Sequence, residues 1–415
     1  MGIFKINKRR ILLFLAIMGP GIITANVDND ANGIATYSVA GAHYGYSIIW
    51  VLLLVTIALI VVQEMCSRMG CITGKGLADL IRENFGVKYT LIIMAVLFIA
   101  NIANTTGDFA GLAAGAELFG INKYITIPVG VILTWFLVLK SDYKKVEKVF
   151  LYACLIYITY IFAGFLAHPD WKEAVARTFV PKVDYNMDFI ITAIAVVGTT
   201  IAPWMQFYQQ SAVRDKGLGE KQYIYSKWDT IIGSFTTNIV AFFIIVACAA
   251  TLFLHGIRVE SAEDAAQALA PLAGNFCKIL FGIGLVNAAL FSVAIIPLST
   301  AYAICEAFGL ESGVDTRFRE APAFYIIYAL TLILGAAPIL IPNLNLITIM
   351  VLSQALNGIL LPFILIAMLL LINNKKIMGK WTNSSLFNTI SWITAVVLIG
   401  ATLILIYYSI APMIH

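Results

Sequence analysis

Apolar residues along this chain come in long blocks rather than in amphipathic stripes. ILLFLAIMGPGIIT (11–24) is followed, after a polar break, by YSVAGAHYGYSIIWVLLLVTIALIVV (37–62), and similar runs recur to the C-terminus. A helix needs about 20 apolar residues to cross a bilayer core. That rule yields eleven predicted spans, roughly 11–40, 45–68, 89–118, 123–140, 146–167, 186–213, 229–254, 272–305, 321–342, 346–372 and 386–411. The expected class is an all-α integral membrane protein, one domain over residues 1–415.

Two spans are interrupted in the same way. ANVDNDANGIAT (25–36) sets Asp28, Asn29, Asp30 and Asn32 inside the first. AVVGTTIAPWMQFYQQSA (195–212) sets Gly198 and Pro203 inside the sixth. Proline has no N–H to give, and a broken helix survives in lipid only where protein or a cavity covers it. The interrupted spans are five apart, and an odd number of crossings inverts the second unit relative to the first. Interrupted segments at matching places in two halves point to the central site of a transporter. The expectation is therefore inverted repeats of spans 1–5 (about 11–167) and 6–10 (about 186–372), with an extra helix at about 386–411.

Composition agrees. The chain is 60% hydrophobic and 12% charged, with a mean hydropathy of +0.89, whereas soluble domains carry roughly 25% charged residues. The N-terminal KINKRR-ILLFLAIM lacks a small-residue cleavage site and runs on into more helix, so it does not read as a signal peptide. Of the 27 Lys and Arg, only Lys123, Lys172, Arg177, Lys182, Arg258 and Lys278 fall on one side of the threaded chain. The crowded side is cytoplasmic, which places the N-terminus in the cytosol and the C-terminus outside. The basic residues thus orient the chain in its lipid bilayer and call for no nucleic-acid partner. A plasma membrane, of the bacterial inner-membrane kind, is the expected location. The six cysteines are scattered and lack zinc-site spacing, so they read as buried thiols. His43, His168, His255 and His415 are expected in loops or at the terminus.

An ionised aspartate at the bilayer centre costs at least ~2.5–3.5 kcal/mol, so it marks a functional site by default. Asp28, Asp30 and Asn32 offer oxygens, and unwound backbone near Val27 and Gly33 adds carbonyls. Opposite them lie Thr199, Thr200 and carbonyls freed by Pro203, with Gln354 and Asn357 on a discontinuous stretch of the tenth span. Thr199 and Ala202 are expected to act through carbonyls, and Thr200 through its hydroxyl. Asn32 either binds through its amide or caps the half-helix that follows. Such oxygen donors suit hard divalent cations. Met205, a turn beyond Ala202, reads as packing, and Trp204 as a cavity wall or packing. Asp229 and Glu147 read as helix-start charges.

AGAHYGYSIIW (40–50), VQEMCSRMGCITGKGLADLIRENFG (62–86), GDFAGLAAGAELFGI (107–121), KKVEKVF (144–150) and VLSQALNGILLPF (351–363) resemble the NRAMP family of divalent-metal transporters. The resemblance covers nearly the whole chain and implies the LeuT-type inverted-repeat fold. It places the family's Asp-Pro-Gly-Asn on Asp30-Ala31-Asn32-Gly33 and its Met-Pro-His on Ala202-Pro203-Trp204. Only the aspartate and the proline are kept. In the family the methionine thioether favours manganese and iron, so alanine here implies a harder and wider site, as does Gly33. The pattern is similar to the NRAMP-related magnesium transporters. The family's proton-handling positions read Trp204 and Gln209 in span six, and Thr105 and Asp108 in span three. Trp, Gln and Thr do not titrate near working pH, which implies transport uncoupled from protons. Asp108 is either a hydrogen-bonded interhelical carboxylate or a transport residue.

The expected function is carriage of partly hydrated Mg²⁺, and also Mn²⁺, by a monomer working through alternating access, with no bound cofactor. The alternatives are a proton-coupled Mn²⁺/Fe²⁺ carrier or a carrier of another hard ion. More distant is an organic-cation or amino-acid carrier of the same fold. No nucleophile–base pair, zinc motif or phosphate loop lies in any span, so an enzyme is not expected.

Overall fold

The structure is a computed structural model of the chain. It describes residues 21, 24, 27–140, 154–183, 186–313 and 316–414. Regular structure among them is helical throughout. Eight helical stretches of the described residues are long and apolar enough to cross a membrane. The start of the first expected span, apart from Gly21 and Thr24, lies outside the described residues. So does the start of the fifth, with Lys144, Lys145, Glu147 and Lys148.

The first span breaks where the polar stretch said it would. Val27 and Asp28 are helical, Asn29 and Asp30 are not, and the helix resumes as Ala31–Tyr44. His43, expected in a loop, occupies the last turn of that helix, far from the break. The sixth span is likewise two helices, Met187–Thr200 and Pro203–Asp215. Between them Ala202 is extended, at φ −71° and ψ 143°. Pro203 then occupies the first position of the second half, where a missing N–H costs nothing.

The other described spans are Ile49–Thr73, Lys123–Lys140, Ile158–Leu166, Tyr223–Thr251, Cys277–Phe308, Pro322–Ala336, Leu346–Ile372 and Ser385–Ile414. Three expectations change. The tenth span, Leu346–Ile372, is one continuous helix through Gln354, not a discontinuous one. Pro362 within it disturbs the ladder too late to reach Gln354, because proline acts on the carbonyl four residues before it. The third span starts earlier than residue 89: a helix runs from Leu77 to Glu117 with a kink at Gly86 (φ 76°, ψ 175°). Glycine alone tolerates that backbone well, so 77–86 forms an arm set off from the span.

Asp229 supplies the third change. The seventh span starts at Tyr223, so Asp229 lies within it, 1% exposed. Its Oδ2 accepts the N–H of Gly21 at 2.7 Å, tying the seventh span to the first at that residue. It is an interhelical tie rather than a helix-start charge.

The third span packs most extensively on the eighth and tenth, and the tenth also on Met187–Thr200. The seventh lies against the second and against Ala31–Tyr44. The broken helices are thereby enclosed, as exposed backbone in lipid requires. Large apolar side chains such as Leu54, Val129, Phe162, Ile326, Phe363 and Val397 point outward, where lipid would meet them. Cys66, Cys71, Cys248, Cys277 and Cys305 are free and buried, as expected.

Candidate functional site

Asp30 caps the helix that follows the first break. Its backbone is extended (φ −66°, ψ −179°), and its Oδ1 accepts the N–H of Gly33 at 2.6 Å. This corrects the capping role expected of Asn32. Asn32 already lies inside the helix, and its Nδ2 donates to Asp30 Oδ2 at 3.3 Å and to Asn104 O at 3.1 Å. Among the described residues no Lys or Arg pairs with Asp30. The positive end of the helix meets its charge instead, a setting that favours an anion.

Two further carboxylates stand near it. Asp108, fully buried, lies against Asp30 and the backbone of Ala31 and Asn32. Neither of its oxygens makes a well-aligned hydrogen bond, although Asp30 and the backbone N–H groups of Ala31 and Asn32 face it. Asp28, 3% exposed, accepts from Thr237 Oγ1 at 3.4 Å through Oδ2, while its Oδ1 has no partner. Buried polar atoms are almost always paired. Unpaired oxygens clustered at a helix break are therefore informative.

A belt of amides runs beside these acids across the first, third and tenth spans. Gln354 Nε2 donates to Asn104 Oδ1 at 2.5 Å, and Asn357 Nδ2 donates to Gln354 Oε1 at 2.9 Å. Ser353 Oγ donates to Asn32 Oδ1 at 3.4 Å. In this conformation Gln354 holds the third and tenth spans together, and Asn357 orients it. Gly107 allows the approach: a Cβ there would lie 2.0 Å from Asn32 Oδ1 and 2.6 Å from Ser353 Oγ. Asn104, Gly107 and Ser353 were not singled out from the sequence. The available signal was the spacing of Asn104, Gly107 and Asp108, which puts all three on one helical face.

The sixth span contributes differently from expectation. Thr200 Oγ1 donates to Val196 O at 2.7 Å and pairs with Tyr37 Oη at 2.9 Å, so that hydroxyl is committed. The Thr199 hydroxyl is 3% exposed and unpartnered, and it faces Gly33, so it is the one open to a ligand. The Ala202 carbonyl is not free either, since it accepts the N–H of Met205 at 3.1 Å. Pro203 leaves the Thr199 carbonyl without its helical donor, so Thr199 offers two oxygens. Gly33 does not leave a void as expected: a Cβ there would lie 2.7 Å from the Asp28 carbonyl and 3.2 Å from Thr199 Oγ1. Trp204 is buried, with its ring centroid 6.0 Å from that of Tyr208 and its carbonyl accepting from Ser299 Oγ at 3.0 Å. Those contacts make it a packing residue. Val27, 1% exposed, closes the last turn before the break.

The break therefore gathers Asp28, Asp30, Asp108 and Thr199, with the amide belt beside them, and none of these four is more than 4% exposed. Every donor is an oxygen. Among the described residues no cluster of three or more His, Cys, Asp or Glu is arranged to hold a metal. Such an arrangement suits an ion held loosely, by few carboxylates and neutral oxygens.

Known proteins share this architecture. The family profile described as Nramp, natural resistance-associated macrophage protein-like, matches residues 21–408. The divalent metal cation transporter MntH of Bacillus subtilis is 28% identical over 406 residues, covering 94% of this chain and 92% of the relative. MntH of Deinococcus radiodurans is 27% identical over 407 residues, covering 94% and 89%. In structure, the Eremococcus coleocola manganese transporter superposes with a TM-score of 0.78 at 18% identity, covering 98% of this chain and 89% of that one. A nucleobase-cation-symport-1 family transporter in a closed conformation superposes with a TM-score of 0.55 at 14% identity, covering 94% and 92%. The all-helical, LeuT-type fold expected from the sequence stands. With a family profile that spans nearly its whole length and both helix breaks where the fold requires them, the chain belongs to the Nramp family.

Proposed function

We propose that this multi-pass membrane transporter carries hard divalent cations, Mg²⁺ foremost and Mn²⁺ as well, with part of the water shell retained. One observation carries the reading: the donors at the break are oxygens, with alanine and glycine at the two positions where the family resemblance implies methionine and asparagine. Mg²⁺ dehydrates reluctantly and is usually held through waters by one or two carboxylates. Asp30 and Asp108 supply the charge, Thr199 supplies two neutral oxygens, and Gln354 with Asn357 orients the waters. The thioethers of Met205 and Met350 lie one turn beyond Ala202 and one turn before Gln354, outside this donor set. The MntH relatives are named as divalent metal cation transporters and the structural neighbour as a manganese transporter, which supports the broad substrate class.

Transport in this reading needs no proton partner. Three of the four positions that would relay protons hold neutral groups, Trp204 among them: Thr105 Oγ1 donates to Asn101 O at 2.7 Å, and Gln209 bridges Thr24 and Thr230. Two charges crossing a membrane potential gain ~2.3 kcal/mol each per 100 mV, enough to drive uptake. A second reading, proton-coupled Mn²⁺ or Fe²⁺ carriage, draws on the contact of Asp108 with Asp30, where an arriving cation could displace a proton. We further propose a single domain over 1–415 with repeats at about 11–167 and 186–372, the N-terminus cytoplasmic, and a monomeric working unit.

Uptake into proteoliposomes, with Mg²⁺, Ca²⁺ and Mn²⁺ in competition and a lumenal pH dye, tests both readings. Mg²⁺ entry without acidification, abolished by Asp30→Ala, is the expected result. Exclusion of Mg²⁺ sinks the substrate assignment. Acidification in step with metal entry sinks the uncoupled mechanism and favours the second reading.

A further inference from the structure

A second polar cluster lies one helical turn from the break, toward the side assigned to the cytosol. A narrow gap there, too tight to admit water, has a polar wall of Thr24, Gln63, Gln209, Thr230 and Ser234 beside Gly21, with Leu59 and Met205 completing its lining. Gln63, 3% exposed, has neither its amide oxygen nor its amide nitrogen paired. Leaving both ends of a buried amide unpaired is costly, so the position calls for a partner. Three of the other polar groups are linked to one another: Thr24 Oγ1 donates to Gln209 Oε1 at 2.8 Å, and Gln209 Nε2 donates to Thr230 Oγ1 at 3.2 Å. Thr24 belongs to the same half-span as Gly21, which Asp229 holds.

An ion leaving Asp30 for the cytosol cannot pass this gap while Thr24 and Gly21 close it. When Thr24 and Gly21 part from this wall, Gln209 Oε1 loses the Thr24 hydroxyl, and Asp229 loses the Gly21 N–H. The opened wall then presents the Gln63 and Gln209 amide oxygens and the Thr230 and Ser234 hydroxyls, with Asp229 next to Thr230 in the chain. Water bound to a divalent cation is a strong hydrogen-bond donor, and these are acceptors with one negative charge behind them.

We propose that the gap is the closed form of a second, cytoplasmic-side station for the hydrated divalent cation, with Gln63 as its dedicated acceptor. The station rests on the divalent-cation reading above but not on Asp30. It accounts for a buried amide that nothing in the closed conformation satisfies. Its ligand is the aquated ion rather than the bare metal, since neutral oxygens predominate.

The test places a thiol at the rim of the gap and removes the central site. In Asp30→Ala protein carrying Ser234→Cys, a cationic thiol reagent is applied from the cytoplasmic side with and without Mg²⁺. Subtracting the Asp30→Ala parent corrects for native cysteines. Mg²⁺ is expected to slow labelling, and adding Gln63→Leu is expected to abolish that slowing. Labelling indifferent to Mg²⁺, or protection unchanged by Gln63→Leu, overturns the proposal. So does a thiol that the reagent never reaches. Should Ser234→Cys not fold, uptake by Gln63→Leu alone decides. A maximal rate lowered about tenfold, the factor for one lost hydrogen bond to a charged group, with external KM unchanged, is expected. An unchanged rate overturns it. Wild-type protein that carries no divalent cation refutes the proposed function itself, which separates the two failures.

Discussion

Gly107→Ala is the sharpest test of the geometry at the break. The added Cβ would lie 2.0 Å from Asn32 Oδ1 and 2.6 Å from Ser353 Oγ, whereas carbon–oxygen contacts settle near ~3.3 Å or beyond. Asn32 must therefore retreat by more than ~1 Å. Its amide then loses bonds to Asn104 O (3.1 Å), Asn104 Oδ1 (3.2 Å) and Asp30 (3.3 Å). Overpacking costs about 1–3 kcal/mol, and interhelical hydrogen bonds in membranes average ~0.6 kcal/mol each. The sum is about 3–5 kcal/mol, with transport lost because Asp30 is no longer held. Thermal unfolding in detergent and liposome uptake measure the two effects. A double-mutant cycle with Asn32→Ala should recover part of the stability without restoring transport, with a coupling energy in the ~0.5–3 kcal/mol range. Wild-type stability and uptake in Gly107→Ala, or strictly additive losses in the cycle, would show that Asn32 and Gly107 do not meet.

Thr199→Val keeps the shape but removes an unpartnered hydroxyl; stability should hold or rise, while the apparent Mg²⁺ affinity falls, as titrated uptake would show. If affinity is unchanged, that oxygen takes no part in holding the ion. Glu306→Gln should destabilise the protein by about 1.5–3 kcal/mol in thermal unfolding. Glu306 is 1% exposed in its side chain and meets Arg214 at 2.8 Å and Ser211 at 2.7 Å. An unfolding midpoint equal to wild type would mean this buried carboxylate is not relying on its cation. Asp229→Ala frees Gly21 from its 2.7 Å tie and should speed labelling of Ser234→Cys about tenfold or more, in line with the loss of a charged hydrogen bond. Slower labelling would show that the tie does not hold the passage shut.

The sequence alone determined what depends on composition and on local backbone chemistry. Runs of apolar residues far longer than any soluble helix needs made the chain a membrane protein. The carboxyl-rich stretch at Asp28–Asp30 and the missing N–H of Pro203 with Gly198 before it pointed to both interruptions, through their matching places five spans apart rather than through proline alone, since Pro128, Pro297 and Pro362 lie inside unbroken helices. The family resemblance was likewise visible in contiguous motifs. Tertiary structure decided which side chains meet and which oxygens are left over. Thr199 and Thr200 are adjacent and identical, and only the position of Tyr37 shows which hydroxyl is committed. Asn104, Gly107 and Ser353 are ordinary residues until the third and tenth spans come close enough for a methyl group not to fit. Asp229 looks like a charge near a helix start until Gly21, more than two hundred residues earlier, is brought against it. Hydrogen-bond satisfaction is a property of pairs, and in this chain most of the deciding pairs lie on different helices.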